Sequence, residues 1–254
     1  MSHSEREFAG RVALVTGGSR GIGRACVLQL ADAGADVAVN YVSREDAARE
    51  TARAAEERGV RTLVVQADVS LSDDVDRMIG EVTGALGPID LLVNNAGVFD
   101  YVSHADTTPE IWQRAIDKNL TSAYLTTWAV KDGMIERGYG RIVNIASIAA
   151  LRPRPMSIAY AVSKAGVIAL TQSTSEAVAP HGLRINCVAP GLTETEILEG
   201  VDQATLDRLV AETPLGRIGQ PHDISELVMF LLSDRSRFMT GQTLVASGGR
   251  VLLP

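Results

Sequence analysis

Residues 12–23 read Val12-Ala-Leu-Val-Thr-Gly-Gly-Ser-Arg-Gly-Ile-Gly23, and this stretch decides the fold because an unbroken apolar run passes directly into a glycine-rich turn. Such a run is typical of a strand that is covered on both faces of a parallel sheet. Glycines permit a sharp turn and let the backbone approach a pyrophosphate, which binds at the positive N-terminus of the following helix. The stretch therefore predicts a strand, a dinucleotide-binding turn and a helix. The predicted turn residues are Gly17, Ser19, Arg20, Gly21, Ile22 and Gly23.

Short apolar runs recur along the chain and alternate with longer amphipathic stretches. The predicted strands are Val12–Val15, Asp36–Asn40, Thr62–Gln66, Leu91–Val93, Arg141–Ile145, Arg184–Val188 and Thr243–Val245. The predicted helices include Gly21–Ala33, Arg44–Arg58, Ser72–Ala85, Pro109–Arg137, Ser157–Ala179 and Pro221–Leu232. This order predicts an α/β fold, a single Rossmann-type doubly wound parallel sheet of about seven strands with helices on both faces. Because no linker-like run divides the chain, we expect one catalytic domain over residues 11–254 after an N-terminal extension of residues 1–10.

The composition narrows the classes of function. Acidic residues number 31 against 24 basic ones, which argues against a nucleic-acid partner. The apolar runs end well short of the roughly 20 residues that cross a bilayer, and the N-terminal residues lack the order of a signal peptide. Cys26 and Cys187 are expected to be buried thiols rather than a disulfide. We expect a cytoplasmic protein with no metal site and no membrane partner.

Tyr160 and Lys164 lie four residues apart in a predicted helix and therefore on one helix face. A neighbouring ammonium favours the phenolate and lowers the pKa of a tyrosine. A tyrosine whose pKa is lowered toward neutrality exchanges protons with an alcohol or carbonyl oxygen. Taken alone, the pair has the alternative interpretation of two ordinary helix residues.

Other motifs place this pair in a wider pattern, which resembles the short-chain dehydrogenase/reductase family. The matching segments, in the order and spacing of that family, are Gly17-x-x-x-Gly21-x-Gly23, Asn94-Asn95-Ala96-Gly97, Ser147, Tyr160-x-x-x-Lys164 and Pro190-Gly191. The resemblance runs from about Arg11 to Gly249. It implies that Tyr160 donates a proton to a carbonyl oxygen while a nicotinamide donates hydride to the carbonyl carbon.

The resemblance also implies roles for three further catalytic residues. Ser147 would hydrogen-bond the carbonyl oxygen as negative charge develops on it. Lys164 would lower the pKa of Tyr160 and hold the cofactor ribose, and Asn119 would support a water link from Lys164 to solvent.

For the cofactor, the resemblance implies contacts at three further places. Asn95, Ala96 and Gly97 would let the cofactor lie close to the sheet. Pro190, Gly191, Thr193 and Thr195 would surround the nicotinamide carboxamide. Asp68 and Val69 match the pair that contacts adenine, although Asp68 is also a candidate cap of the following helix.

The second predicted strand indicates which nicotinamide cofactor is used. An acidic residue at its end holds the ribose 2′-hydroxyl in NAD-binding folds, but this chain has Tyr41 at that position. Arg20, Ser43 and Arg44 are available for charge-assisted hydrogen bonds to a 2′-phosphate. We therefore predict NADP(H), with Arg44 as a solvated helix residue being the alternative.

The substrate is expected to be a small-molecule ketone or secondary alcohol. The expected pocket residues are largely apolar: Phe99, Tyr101, His104, Ile148, Leu151, Met156, Ile158, Leu192, Ile197 and Leu198. The segment Arg152-Pro-Arg154-Pro155, near the expected mouth, is either a site for a carboxylate or phosphate or a solvated loop.

Two other functions remain as alternatives. The overall pattern resembles the 3-oxoacyl-acyl-carrier-protein reductases, in which arginines on two helices dock the acidic carrier. The matching positions here are Asp132 and Glu176, which would repel such a partner. The other alternative is a catalytically inactive cofactor-binding scaffold. The family resemblance implies that the long predicted helices pair across two-fold axes to form a homotetramer, with a dimer as the alternative.

Overall fold

A parallel sheet forms the centre of the structure, a computed structural model that describes residues 6–195 and 202–252. The strands of this described part are β1 (Val12–Val15), β2 (Asp36–Tyr41), β3 (Thr62–Gln66), β4 (Leu91–Asn94), β5 (Gly140–Ile145), β6 (Leu183–Pro190) and β7 (Thr243–Ala246). The α-helices described are α1 (Gly21–Asp32), α2 (Glu45–Glu56), α3 (Ser72–Ala85), α4 (Pro109–Ile116), α5 (Ser122–Arg137), α6 (Ile158–Val178), α7 (Gln203–Ala211) and α8 (Pro221–Leu232).

The strand order is β3-β2-β1-β4-β5-β6-β7, and each neighbouring pair is parallel. The chain proceeds outward from β1 to β3 and then returns to the other side of β1 to form β4. The carboxyl ends of β1 and β4 therefore lie on either side of the topological switch point, where open α/β sheets bind ligands. The predicted fold class is confirmed.

The core lies on both faces of the sheet because successive strand residues point to opposite faces. On one face, Ala13 and Val15 belong to a cluster that includes residues of α1, α2 and α8. On the other face, Leu14 belongs to a cluster that includes residues of α3 and α5. Cys26 and Cys187 are buried free thiols, as predicted.

Residues at the N-terminal edge of the described chain also pack against this core. Phe8 is buried, and its N–H donates a hydrogen bond of 2.8 Å to the Ala33 carbonyl. No helix within residues 6–195 and 202–252 has both the length and the apolar character needed to cross a membrane.

The predicted helical stretch over Pro109–Arg137 is helical throughout, but it contains an irregularity that was not predicted. A π-helical turn over Asp117–Thr121 joins α4 to α5. A π turn inserts a residue without breaking the helix, so the spacing of apolar residues does not reveal it, and such turns often occur at functional sites. The inserted turn contains Asn119.

Two other helix predictions also need correction. Helix α7 was not predicted, because its nine residues include no buried side chain and so give no apolar face. It begins after Asp202, whose carboxylate accepts a hydrogen bond of 2.9 Å from the Thr205 N–H. Helix α2 begins at Glu45 rather than Arg44, and Arg44 occupies the N-cap position without a side-chain cap.

Candidate active site

The glycine-rich turn follows β1, and its backbone packs closely against the start of α1. Gly17 and Gly21 have positive φ angles of 60° and 52°, which favour glycine. A Cβ at position 23 would overlap the Gly17 carbonyl oxygen and lie 2.6 Å from Nδ2 of Asn95. These positions need glycine so that the turn can fold tightly against the N-terminus of α1.

Polar side chains from neighbouring strands fix this turn. The Asn95 amide donates hydrogen bonds of 3.0 Å to the carbonyls of Thr16 and Gly17. The Thr16 hydroxyl accepts hydrogen bonds of 3.0 Å from the N–H groups of Asn95 and Ala96. The Asn40 side chain accepts a hydrogen bond of 3.2 Å from the Gly17 N–H. The turn is thus held rigidly at the switch point, beside the first N–H groups of α1, which have no partner within the helix.

The remaining turn residues differ in exposure. Ser19 is buried, and its carbonyl accepts a hydrogen bond of 3.1 Å from the Thr51 hydroxyl. Ile22 packs against the core on the α1 face. The side chain of Arg20 is exposed at the N-cap of α1.

The segment after β6 approaches the same turn from the opposite side. A Cβ at Gly21 would lie 3.2 Å from the Thr195 methyl group. The Thr193 hydroxyl donates a hydrogen bond of 3.2 Å to the Gly191 carbonyl, which fixes the turn that follows Pro190. The two segments therefore lie next to each other at the carboxyl edge of the sheet.

At the end of β2, the side chains divide into a buried and an exposed group. Tyr41 is buried in the core, and its pKa is raised by this burial and by its hydrogen bond with Glu45. The Glu45 carboxylate is also bound by Arg49, with contacts of 2.8 and 2.6 Å. Ser43 and Arg44 are exposed. A phosphate bound at this edge would therefore contact Ser43 and Arg44. The nearby Glu45 carboxylate is already paired with Arg49.

Asp68 follows β3 and faces the π turn between α4 and α5. Its carboxylate accepts a hydrogen bond of 2.7 Å from the Ser70 hydroxyl and forms an ion pair with Lys118. Burial raises the pKa of Asp68, but these hydrogen bonds outweigh it and the pKa is lowered overall. Asp68 does not cap α3, whose N-cap residue is Leu71. Val69 is buried in the core on the α3 face.

Ser147 and Tyr160 meet at the start of α6. Ser147 begins a 3-10 turn over Ile148–Ala150, and its hydroxyl accepts a hydrogen bond of 3.1 Å from the Ala149 N–H. Tyr160 lies in the first turn of α6. Burial raises the pKa of Tyr160, and the nearby Ser147 hydroxyl and the charge of Arg154 only partly oppose this effect. The phenol therefore stays protonated at neutral pH.

The expected lowering of the Tyr160 pKa by Lys164 is wrong for this structure. The Lys164 Nζ lies 5.9 Å from the centroid of the Tyr160 ring and donates a hydrogen bond of 2.7 Å to the Ile145 carbonyl. Lys164 is buried, and this burial lowers its own pKa from 10.5 to about 8. The ammonium is directed toward the end of β5 rather than toward the phenol oxygen.

Asn119 lies on the same side of Gly97 as Lys164. Its side chain accepts a hydrogen bond of 2.7 Å from the Val98 N–H and donates bonds of 3.0 Å to the Val98 carbonyl and the Ser163 hydroxyl. A Cβ at Gly97 would lie 2.6 Å from Oδ1 of Asn119 and 3.5 Å from Nζ of Lys164. The π turn thus connects the segment after β4 to α6. Gly97 has no side chain, so Asn119 can lie close to its backbone.

The expected pocket residues fall into three groups. The Phe99 ring packs edge-on against Tyr160 with centroids 5.0 Å apart, and Met156 and Ile158 are exposed nearby in sequence. Ile148 is 2% exposed and Leu151 packs against a core cluster, so neither offers an open surface. Ile197 and Leu198 lie outside the described residues.

Two polar residues of the site were missed by the sequence analysis. Asn40 interrupts an apolar strand, which is a usable signal for a buried polar role, and it also donates a hydrogen bond of 3.0 Å to the Ala67 carbonyl. Ser163 gives no such signal, because a small polar residue in a helix is common. Within the described residues, no cluster of three or more histidine, cysteine, aspartate or glutamate side chains could hold a metal ion.

The chain is similar in sequence and in fold to known proteins. The family model described as "Enoyl-(Acyl carrier protein) reductase" matches residues 17–250. A 3-oxoacyl-[acyl-carrier-protein] reductase of Staphylococcus epidermidis is 37% identical over 93% of this chain and 97% of its own length. An acetoacetyl-CoA reductase of Shinella zoogloeoides is 39% identical over 94% and 98%, respectively. A solved short-chain type dehydrogenase/reductase from Mycobacterium marinum superposes with a TM-score of 0.92 at 35% identity, covering 99% of this chain and all of the other.

Proposed function

The chain belongs to the short-chain dehydrogenase/reductase family of oxidoreductases, and from this premise we propose that it transfers hydride between NADP(H) and a ketone or secondary alcohol. Tyr160 exchanges the proton with the substrate oxygen. The observation that carries this proposal is the placement of Ser147, Tyr160 and Lys164 around the carboxyl end of β5, where the Lys164 ammonium binds the Ile145 carbonyl and Ser147 begins the turn after the strand. The activities of the two similar enzymes, on a 3-oxoacyl carrier protein and on acetoacetyl-CoA, support the reduction of a ketone.

Side chains of the protein donate the proton and stabilise the negative charge that develops on the substrate oxygen. Tyr160 is protonated at neutral pH and so is ready to donate to a carbonyl oxygen. The Ser147 hydroxyl, which acts on the same phenol, would stabilise negative charge on that oxygen. The polar ends of the Lys164 and Asn119 side chains both lie close to Gly97. When bound, the nicotinamide supplies or accepts the hydride.

The glycine-rich turn suits a dinucleotide because no side chain fits at position 23 and the N-terminus of α1 faces the cleft. Thr193, Thr195 and Gly191 would contact the nicotinamide end, and Asn95, Ala96 and Gly97 would form the floor between the two ends. Asp68 and Val69 would border the adenine.

The preference for NADP(H) is supported by the end of β2. Tyr41 stands where a carboxylate would hold a ribose 2′-hydroxyl, and Ser43 and Arg44 are exposed beside it. A guanidinium binds a phosphate through charge-assisted hydrogen bonds. With Arg20 at the start of α1, these residues would bind the 2′-phosphate.

Arg44→Ala tests this cofactor preference. We expect roughly tenfold weaker binding of NADPH and little change for NADH, because only NADPH carries the 2′-phosphate. Arg53→Ala is a matched control, since Arg53 is exposed in the last turn of the same helix. A higher kcat/KM with NADH than with NADPH in the wild type would reject the assignment, as would equal losses in both variants.

The carrier-protein-dependent 3-oxoacyl reductase is the second candidate, favoured by the 37% identity to such an enzyme. Asp132 and Glu176 are both exposed, and Asp132 pairs with Lys131 at 2.5 Å. Exposed carboxylates repel an acidic carrier, so we favour a free small molecule. Loss of NADPH absorbance with simple ketones, compared with a 3-oxoacyl carrier protein, decides between the two. No turnover of either class would instead favour an inactive scaffold.

We also propose assembly as a homotetramer. On α5, Tyr124 and Trp128 stack with centroids 4.5 Å apart, and each is 38% exposed. Large exposed aromatic side chains are enriched at protein interfaces. A molecular mass measured in solution distinguishes a tetramer from the dimer that remains the alternative.

A further inference from the structure

The loop between Leu151 and Ser157 forms part of the approach to Tyr160. The Ser157 N–H donates a hydrogen bond of 3.1 Å to the Arg154 carbonyl, and the Val102 N–H donates one of 2.8 Å to the Met156 carbonyl. These bonds attach the loop to the start of α6 and to the segment that follows Gly97. The backbone of Arg154 is therefore fixed six residues before the proton donor.

The guanidinium of Arg154 is half-buried, and it makes no hydrogen bond or ion pair with the described residues. Its neighbour Arg250 is different, because that guanidinium binds the Glu212 carboxylate at 2.7 Å and the Leu209 carbonyl at 3.0 Å. Arg208 also reaches Glu212, at 3.5 Å. The nearest carboxylate is therefore already neutralised by other arginines.

The charged groups that act on Arg154 are mostly positive. Arg152 and Arg250 repel it, and Tyr160 and Glu212 attract it. Arg152, Arg154 and Arg250 against Glu212 leave a charge of about +2 around Arg154, although the whole chain has a formal charge of −7. A partly desolvated cation without a partner is unfavourable, and an anion bound there would relieve this cost.

We propose that Arg154 binds a carboxylate of the substrate, so that the compound reduced or formed at Tyr160 is an oxo acid or the corresponding hydroxy acid. This inference rests on the proposed function and adds the chemical class of its substrate. Because the charge of Arg154 acts on Tyr160, one substrate molecule would carry both the bound carboxylate and the reacting carbonyl. A guanidinium suits this role since it binds a carboxylate through two parallel hydrogen bonds.

Acetoacetate and its methyl ester test this proposal, because they share one ketone and differ in the carboxylate. We expect Arg154→Gln to lower kcat/KM for acetoacetate roughly 10- to 100-fold and for the ester less than about threefold, since only the acid loses a charged hydrogen bond. Arg53→Gln is the matched control, because Arg53 is exposed on α2 outside this cluster, and it should leave both values near those of the wild type. Arg154→Lys should restore part of the loss, because it keeps the charge without the two-pronged geometry.

Binding gives a second measurement that does not depend on turnover. Calorimetry of acetoacetate with the NADP⁺-loaded enzyme should show at least tenfold weaker binding to Arg154→Gln than to the wild type or to Arg53→Gln. Equal binding to all three proteins, or equal losses for acid and ester in the kinetics, would overturn the assignment of Arg154. If neither compound is reduced while the binding difference persists, the proposed reaction fails and the carboxylate site stands.

Discussion

Burial moves the pKa values of Tyr160 and Lys164 in opposite directions, because it disfavours the charged form of each group. The phenol becomes a weaker acid and the ammonium a stronger one. A protonated Tyr160 suits the donation of a proton to a ketone. In the direction of alcohol oxidation, the same residue must first lose its proton, so a positive charge close to its oxygen matters more.

Lys164 gives a prediction for stability against pH. Its pKa is about 8 in the folded protein, against 10.5 for an exposed lysine. Between these values the unfolded chain binds more protons than the folded chain, so the free energy of unfolding rises with pH. We expect the wild type to gain up to roughly 3 kcal/mol relative to Lys164→Met across this interval.

Denaturant unfolding of both proteins, near neutrality and at about pH 10, measures this gain. The loss of the hydrogen bond to Ile145 adds a constant offset, so only the change with pH carries the test. A difference that stays constant across the interval would mean that Lys164 titrates like an exposed lysine.

At the scale of single elements, a helix or strand can be predicted from the sequence when many of its residues follow one apolar pattern. The strands follow from continuous apolar runs, and β6 extends the predicted Arg184–Val188 by one residue before it and two after it. The turn after β1 follows from its glycines. The π turn around Asn119 and the exposed helix α7 have no repeating apolar signal, and only the three-dimensional contacts define them. The hydrogen bond from Lys164 to the Ile145 carbonyl cannot be predicted from the sequence either, because it joins residues 19 positions apart.

The packing of α1 against its turn leads to a second prediction. We expect Gly23→Ala to lower the free energy of unfolding by about 1–3 kcal/mol and to weaken NADPH binding, because the new Cβ overlaps the Gly17 carbonyl. Gly80→Ala is the matched control in α3, where no atom lies within 4 Å of the new Cβ. It should stabilise the protein by about 0.5–1 kcal/mol through helix propensity.

Chemical denaturation and cofactor titration of the two glycine variants provide the measurement. Unchanged stability and NADPH affinity in Gly23→Ala would show that the turn can move aside and that its tight packing is not required.

At the scale of the whole molecule, the site exists only because the doubly wound order brings distant segments to one edge of the sheet. The turn after β1, Gly97 after β4, Ser147 after β5 and Gly191 after β6 all lie at carboxyl ends of parallel strands. Helix α6 then places Tyr160 and Lys164 across that edge. Motif spacing predicts this convergence, whereas the identity of the substrate depends on loops such as the one that carries Arg154.

The proton-donor role of Tyr160 is the central claim, and Tyr160→Phe tests it most directly because the change removes one oxygen and keeps the ring that packs against Phe99. Steady-state reduction of a ketone by NADPH and the Kd for NADPH should be measured on the same preparation. We predict that turnover is abolished while the Kd stays within about threefold of the wild-type value, because the phenol oxygen acts on the substrate and not on the phosphate-binding turn. Retention of more than about a few per cent of the wild-type kcat would contradict the assignment of Tyr160 as the proton donor.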